Sequence, residues 1–267
     1  MEIQLWRTVL LPYEQAVDEL IIKFRHIVKD YRSRNMHSPI EQVSGRVKSI
    51  SSILEKMHRK GISMENMEEE MEDIAGIRVI CQFEEDIDIV VGLVKNRSDM
   101  QIKSEKDYLS HMKESGYRSY HVIIYYTVET TYGPKKLQAE LQIRTMAMDF
   151  WATIEHSLQY KYKGDMPPHV AERLIRAADA INALDQEMSS VRGEIINAQN
   201  SSQLQSNIVR EILLCIENLY KVTSEREVRK IQDEFLRVFA TNDMAHLERF
   251  HRELDIIAEG YRIQSLK

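Results

Sequence analysis

Leu137-Gln138-Ala139-Glu140-Leu141-Gln142-Ile143-Arg144-Thr145 alternates apolar and polar residues without a break. In a β-strand this sends Leu137, Ala139, Leu141 and Ile143 to one face and Gln138, Glu140, Gln142 and Arg144 to the other. A polar strand face is commonly only solvated. Other stretches of the chain, however, carry groups suited to a nucleotide, which makes Glu140 the centre of a candidate catalytic face. Lys48, Ser52, Lys56 and Arg59 follow at intervals of four, four and three, which on a helix share one face. Three cations and a hydroxyl suit a polyphosphate: guanidinium grips two oxygens in parallel, ammonium acts as a point charge, and serine donates one hydrogen bond. Arg46 lies just before this stripe, and a helical face that merely meets water has the same spacing. Asp73 and Glu140 are candidates to hold a divalent ion, since Mg²⁺ takes a few carboxylates plus water and phosphate oxygens; an Asp ahead of a strand also serves as a turn residue. Tyr117 follows Gly116, precedes Arg118 and His121, and stands near Lys106 and Lys113. An aromatic among bases is a platform for a nucleobase, and an ordinary buried tyrosine fits the same segment. His156 has no Cys or second His at ligand spacing and reads as structural. No G-x-x-x-x-G-K-S/T loop is present, so an ATP site here is not a P-loop. Neither a G-x-S-x-G elbow nor a Rossmann glycine fingerprint occurs.

These side chains need elements to hold them. Residues 1–60 read as helical, with Leu10, Val17, Leu20, Ile21, Phe24, Ile27 and Val28 as one apolar stripe. Ser38-Pro39-Ile40-Glu41 has the form of a capping box with proline at the first helical position, and Gly45 reads as an interruption of that second helix. After an acidic stretch over 62–73 a strand is expected, with Ile77, Val79, Cys81 and Phe83 on one face and Arg78, Ile80 and Gln82 on the other. A helix over 85–96, a short strand at Met100–Lys103 and a polar loop from Lys106 to Ser115 follow. Ser119–Val128 is rich in Val, Ile and Tyr and predicts a central strand, which the Gly133-Pro134 turn joins to the Glu140 strand as an antiparallel hairpin. From Met146 the pattern is helical, with Phe150, Trp151, Ile154 and Leu158 on one side and an end near Gly164. Pro167-Pro168 opens a long helix whose stripe of Leu174, Ala178, Ile181, Leu184, Met188, Val191 and Ile195 fits packing on the domain or on another subunit. Asn200-Ser201-Ser202-Gln203 is the one plausible linker. Residues 204–267 look wholly helical, with Ile212, Ile216, Leu219, Ile231, Phe235, Phe239, Leu247, Phe250, Leu254 and Ile257 as apolar positions and no chemical motif. The expected organisation is a domain over 1–200 and a helical extension over 201–267.

A chain of 267 residues can bury a full core. Hydrophobic content of 43% and charged content of 29% belong to a globular protein. The net charge of −6 speaks against general nucleic-acid binding while leaving room for a local basic patch. Cys81 and Cys215 form neither a metal spacing nor a disulfide framework. No apolar run is long enough to span a membrane and no signal-peptide pattern opens the chain, so the expected location is the cytoplasm.

Taken in order, Gly45-Arg46-Val47-Lys48-Ser49 with Ser52 and Glu55-Lys56-Met57-His58-Arg59-Lys60, then Asp73-Ile74-Ala75-Gly76-Ile77-Arg78, Gly116-Tyr117-Arg118-Ser119-Tyr120-His121 and Glu140-Leu141-Gln142-Ile143-Arg144-Thr145 resemble the synthetase motifs of Rel/Spo-type alarmone enzymes. The likeness is greatest to the small single-domain (p)ppGpp synthetases, or GTP pyrophosphokinases, and covers about residues 1–200. It implies an α+β fold of nucleotidyltransferase type: a mixed sheet flanked by helices, here with a helical C-terminal extension. The implied reaction moves the β,γ-pyrophosphate of ATP onto the 3′-hydroxyl of GDP or GTP, giving ppGpp or pppGpp and AMP in the stringent response. The resemblance assigns Arg46, Lys48, Ser52, Lys56 and Arg59 to the ATP phosphates and Arg78 to adenine. Asp73 and Glu140 would hold Mg²⁺, with Glu140 placed to take the 3′-OH proton. Tyr117 would stack on guanine, and Lys106, Lys113, His121 and Gln142 would contact the acceptor's phosphates and ribose. Asp149, where several relatives have asparagine, is a candidate to accept guanine's two Watson–Crick donors, and Lys106 stands where many have arginine. Some members are tetramers activated by their own product. Ile21 and Gln42 stand where such members carry lysine and phenylalanine, so a homo-oligomer is expected without that activation. None of the nine histidines is followed by aspartate and no chain precedes to house a hydrolase domain, so hydrolysis of the product is not expected. Two other readings remain open: a pyrophosphotransferase of this fold acting on an adenosine nucleotide or a tRNA end, and a catalytically silent nucleotide- or RNA-binding relative.

Overall fold

The computed structural model describes residues 2–161 and 166–265. They fall into two compact units, Met1–Ser190 and Val191–Lys267. In the first, α1 (Glu2–Ser33) is followed by β1 (Gln42–Val47), α2 (Ile50–Lys60), α3 (Met67–Glu70), β2 (Ala75–Cys81), α4 (Glu84–Lys95), β3 (Gln101–Asp107), β4 (Tyr120–Thr130), β5 (Gly133–Thr145) and α5 (Met146–Lys161). The five strands form one sheet in the order β1-β2-β5-β4-β3. Only β2 and β5 run parallel, while the other three pairs are antiparallel. The sheet is therefore mixed, with β5 at its centre.

Alternation decides which side of each strand is buried. Ala75, Ile77, Val79 and Cys81 of β2, Val122, Ile124, Tyr126 and Val128 of β4, and Leu137, Ala139, Leu141 and Ile143 of β5 share one core with Tyr13, Ala16, Val17, Leu20 and Phe24 of α1 and Ile87, Val90, Val91 and Val94 of α4. Burying side chains of this size stabilises by roughly 1.5–3 kcal/mol each before chain entropy is counted. The polar partners of the alternation are thereby left to the opposite face. The hairpin expected at Gly133-Pro134 is present, with Thr130 paired to Gly133.

Several local expectations are overturned. Residues 42–47 are not helical: Gly45 and Arg46 lie in β1, an edge strand paired with Ile77 and Gly76. Gly45 does not interrupt a helix. A Cβ there would fall 2.8 Å from both Ile77 Cδ1 and Val17 Cγ1, so glycine is what lets α1 approach the sheet. Ser38-Pro39-Ile40-Glu41 caps no helix; the Ser38 hydroxyl donates to the carbonyl of Ile40 (2.8 Å) in a turn that leads into β1. Lys48 precedes α2, whose N-cap is Ser49, and so does not ride on the helix that carries Ser52, Lys56 and Arg59. β3 runs on to Asp107, placing Lys106 in a strand; an edge strand with polar Ser104, Glu105 and Lys106 offers no apolar alternation to read.

Of the α5 stripe, Trp151 is buried while Phe150, Ile154 and Leu158 are exposed. The helix end expected near Gly164 lies outside the described residues. The next helix, α6, spans Pro168–Leu219, and Asn200-Ser201-Ser202-Gln203 is helical within it. In the first unit Ala178, with Leu174 and Ile181, packs against Trp151 and Tyr117, and Asp185 accepts a buried hydrogen bond from Thr145 (2.6 Å). In the second unit, the end of α6 shares a core with α7 (Glu225–Ala240) and α8 (Met244–Ser265), made of Ile212, Ile216, Leu219, Val228, Phe235, Leu247, Phe250 and Leu254. No helix is long and apolar enough to cross a membrane among the described residues.

Candidate active site

Strand register assembles the site. Ser44 of β1 lies beside Arg78 of β2, Arg78 beside Gln142 of β5, Gln142 beside His121 of β4, and His121 beside Lys106 of β3. One row of polar residues thus crosses all five strands. The adjacent row runs Arg46, Gly76, Glu140 and Ile123. A cavity of about 430 Å³ opens over these rows, lined by Arg46, Lys48, Asp73, Arg78, Glu140 and Gln142. A second, of about 340 Å³, is lined by Tyr117 and Arg144 and shares Arg46, Arg78, Gln142 and His156 with the first. Two adjoining polar cavities with a common wall suit two ligands that must meet.

Two carboxylates lie in the first cavity, each held differently. The Lys48 ammonium donates to Asp73 Oδ2 at 2.9 Å, and Lys56 Nζ lies 2.7 Å from Oδ1 without hydrogen-bond geometry. Burial pushes the Asp73 carboxyl up, but Lys48 and Lys56 outweigh it and hold the group below its ordinary value. The backbone helps, since the N–H of Lys48 donates to the carbonyl of Ile74 and pins the end of β1 beside Asp73. Glu140 is half-buried among polar neighbours. His121 Nδ1 lies 3.0 Å from Oε1 and Gln142 Nε2 donates to Oε2 at 2.7 Å. Burial raises its proton affinity, yet His121 and Gln142 bring it below the ordinary value against a smaller opposing effect of Asp73. Both carboxylates line the same cavity. Among the described residues no group of three or more His, Cys, Asp or Glu could hold a metal. An ion at Asp73 and Glu140 would therefore complete its shell from water and phosphate, which fits Mg²⁺.

On the other side, Tyr117 Oη lies 2.9 Å from His121 Nε2. A carboxylate can only accept, so His121 Nδ1–H donates to Glu140 and leaves Nε2 to accept the Tyr117 hydroxyl. Lys113 sits 4.8 Å from the Tyr117 ring centroid and the Arg144 guanidinium 6.0 Å. Gly116 has φ +88, and a Cβ there would meet Ala178 Cβ at 2.7 Å, so only glycine brings Tyr117 under α6. Lys106 Nζ donates to Glu72 at 2.9 Å. Asp149 Oδ1 lies 3.3 Å from Arg78 and 3.1 Å from Arg144, two ion pairs without hydrogen-bond geometry.

The expected residues are thus largely, though not wholly, gathered. Ser52 takes a hydrogen bond from Ser49 at the start of α2, and Arg59 is exposed further along that helix; neither lines these two cavities, nor do Lys56, Lys106, Lys113, His121 and Asp149. Three residues escaped the sequence reading. His156 lines both cavities, and a helical register counted from buried Ala152, four residues earlier, puts it on the same side of α5. Arg144 was set on the polar face of β5 yet given no role, although it is buried beside Tyr117. Glu72 passed as one more acid in an acidic run.

A model described as "Region found in RelA / SpoT proteins" matches residues 45–165. The Bacillus subtilis GTP pyrophosphokinase YjbM is 50% identical over 199 residues, covering 74% of this chain and 94% of that protein. The chain belongs to the RelA/SpoT family. A second Bacillus subtilis GTP pyrophosphokinase, YwaC, is 42% identical over 71% of this chain and 91% of its own length. Among solved structures, small alarmone synthetase 1 of Bacillus subtilis bound to its product pppGpp matches with TM-score 0.70 and 50% identity, over 72% of this chain and 98% of that one. A GTP pyrophosphokinase family protein from Streptococcus pneumoniae matches with TM-score 0.70 and 54% identity, over 73% of this chain and 96% of its own. The mixed five-stranded sheet with flanking helices is the fold of these family members.

Proposed function

We infer that this chain is a GTP pyrophosphokinase: it transfers the β,γ-pyrophosphate of ATP to the 3′-hydroxyl of GDP or GTP. The 3′ oxygen forms a bond to the β-phosphorus, the bond from that phosphorus to the α,β-bridging oxygen breaks, and AMP leaves as ppGpp or pppGpp forms. The observation that carries the reading is the pair of adjoining cavities with ionised Glu140 in the first and Tyr117 in the second. The likeness of the chain to a synthetase solved with pppGpp supports it.

Each group has a task under this reading. Arg46, Lys48, Ser52, Lys56 and Arg59 receive the ATP phosphates, and Arg78 stacks on adenine. Since Lys48 and Lys56 are held by Asp73, phosphate and metal together replace one set of ion pairs with another. Asp73 and Glu140 would hold Mg²⁺, which would supply charge neutralisation at the transferring phosphates. Glu140 takes the 3′-OH proton, a role worth about 10²–10⁴-fold. Guanine stacks on Tyr117 once exposed Lys113 swings aside, and Lys106, Lys113, His121 and Gln142 meet the acceptor's phosphates and ribose. Asp149 changes role: a carboxylate between two guanidinium groups is poorly disposed to read guanine's donors. It instead positions Arg78 and Arg144. The exposed stripe of Met146, Phe150, Ile154 and Leu158 on α5, with Leu184 and Met188 on α6, supports assembly into a homo-oligomer, four subunits by family resemblance.

Incubation with β-labelled ATP and GDP, followed by ion-exchange separation, tests the transfer. Labelled ppGpp and unlabelled AMP in equal amounts are expected. Release of ADP or free pyrophosphate without ppGpp would refute it.

A further inference from the structure

Two consecutive carboxylates each hold two ammonium groups. Asp73 carries Lys48 and Lys56 on the donor side. Glu72 carries Lys106 at 2.9 Å and Lys103 at 3.2 Å. Lys103 has a second partner, donating to Gln138 Oε1 at 2.8 Å, so it stays anchored whatever Glu72 does. Lys106 differs, because it lies opposite His121 in the strand register, and His121 joins Glu140 to Tyr117. Glu72, then Tyr108 and Glu140, raise the proton affinity of Lys106, so it is a full cation facing the acceptor side. A phosphate reaching Lys106 must compete with the Glu72 carboxylate already paired to it.

We propose that Glu72 is a built-in competitor for the acceptor's 5′-phosphates, occupying Lys106 until a nucleoside di- or triphosphate displaces it. This rests on the pyrophosphokinase reading only in taking Lys106 as an acceptor-phosphate ligand. Glu72 has no task in the reaction itself, so its effect is confined to acceptor affinity. Part of the phosphate's attraction to Lys106 is spent in breaking the existing ion pair, which raises the apparent KM for the acceptor. Such a device favours acceptors with enough phosphate charge to win the exchange.

The test is a two-residue cycle of Glu72→Gln and Lys106→Ala. Glu72→Gln should lower the KM for GDP by about two- to fivefold, the range of a half-exposed ion pair. Turnover and the KM for ATP should move by less than about twofold, because the donor side keeps its contacts. On the Lys106→Ala background the same substitution should leave the GDP KM unchanged. An unaltered KM in the single variant would overturn the proposal. So would an equal fall on the Lys106→Ala background, which would put the effect on neighbouring Asp73. The cycle can be repeated as GDP binding by calorimetry without ATP. A protein that binds GDP in this pattern yet makes no ppGpp would sink the transfer reading and leave the competitor in place.

Discussion

At the scale of the residue, Glu140 and Asp73 are ionised for different reasons, and their variants should behave accordingly. His121 and Gln142 hold Glu140 below its ordinary value against the pull of burial. Removing the imidazole leaves burial to dominate, so His121→Ala should move the acid limb of the kcat/KM profile to higher pH than in the native chain. A limb that stays in place would show that another group sets it. Asp73→Asn and Glu140→Gln should each remove nearly all transfer, and the double variant should be little worse than either, if both hold one metal ion as proposed. Losses that multiply would count against a shared ion. Asp149→Asn should raise the KM for ATP by about two- to fivefold through a loosened Arg78. The preference for GDP over IDP, read as a ratio of kcat/KM, should not change. A narrowed ratio would restore Asp149 as a reader of the base.

Elements hold these residues through close approaches that leave little room for change. Gly116 combines a left-handed backbone with contact to α6. Gly116→Ala should therefore lower stability by about 1–3 kcal/mol and raise the KM for GDP through a displaced Tyr117. Adding Ala178→Gly should recover the part due to the clash but not the part due to φ. Complete recovery would mean that the backbone carries no strain there. A second clamp ties α1 to the turn before β3, where Asp99 accepts from Arg97 at 2.7 Å and from Lys23 at 2.6 Å. Arg97 first, then Lys23, pull the Asp99 carboxyl down to about 2 against its modest burial. A depressed carboxylate stabilises the fold above its unfolded value and ceases to do so as pH falls through the folded one. Asp99→Asn should lower Tm near neutral pH, with the difference from the native chain vanishing as pH approaches about 2. A constant difference across that window would assign the effect to packing.

At the scale of the whole molecule, the two polar rows, both cavities and the exposed α5 stripe all belong to Met1–Ser190. A chain ending after residue 200 should retain transfer activity and the oligomeric state of the full chain, both readable by product analysis and light scattering. It would also lose the core around Phe235 and Phe250, which is built within the second unit. A folded but inactive product would give those helices a part in the reaction. A monomer at micromolar concentration for the full chain would refute the assembly expected from Phe150, Ile154 and Leu158.

Much of this is legible in the sequence, and the reason is local. Strand alternation from Leu137 to Arg144, the Gly133-Pro134 turn and the helical spacing from Ser52 to Arg59 are short-range patterns written by backbone geometry, and each has its counterpart in the fold. Order along the chain was enough to mark Arg46, Asp73, Tyr117 and Glu140. Local pattern failed where long-range pairing overrode it. Residues 42–47 read as helix until β2 is present to pair with them, and polar β3 has no alternation of its own. Sequence also could not say who holds whom. That Lys48 and Lys56 meet on Asp73, that Lys106 rests on Glu72, and that Asp149 lies between Arg78 and Arg144 depend on which strands are neighbours. A row from Ser44 to Lys106 spans five strands far apart in the chain, and hydrogen-bond register, a property of the assembled sheet, is what brings its members together.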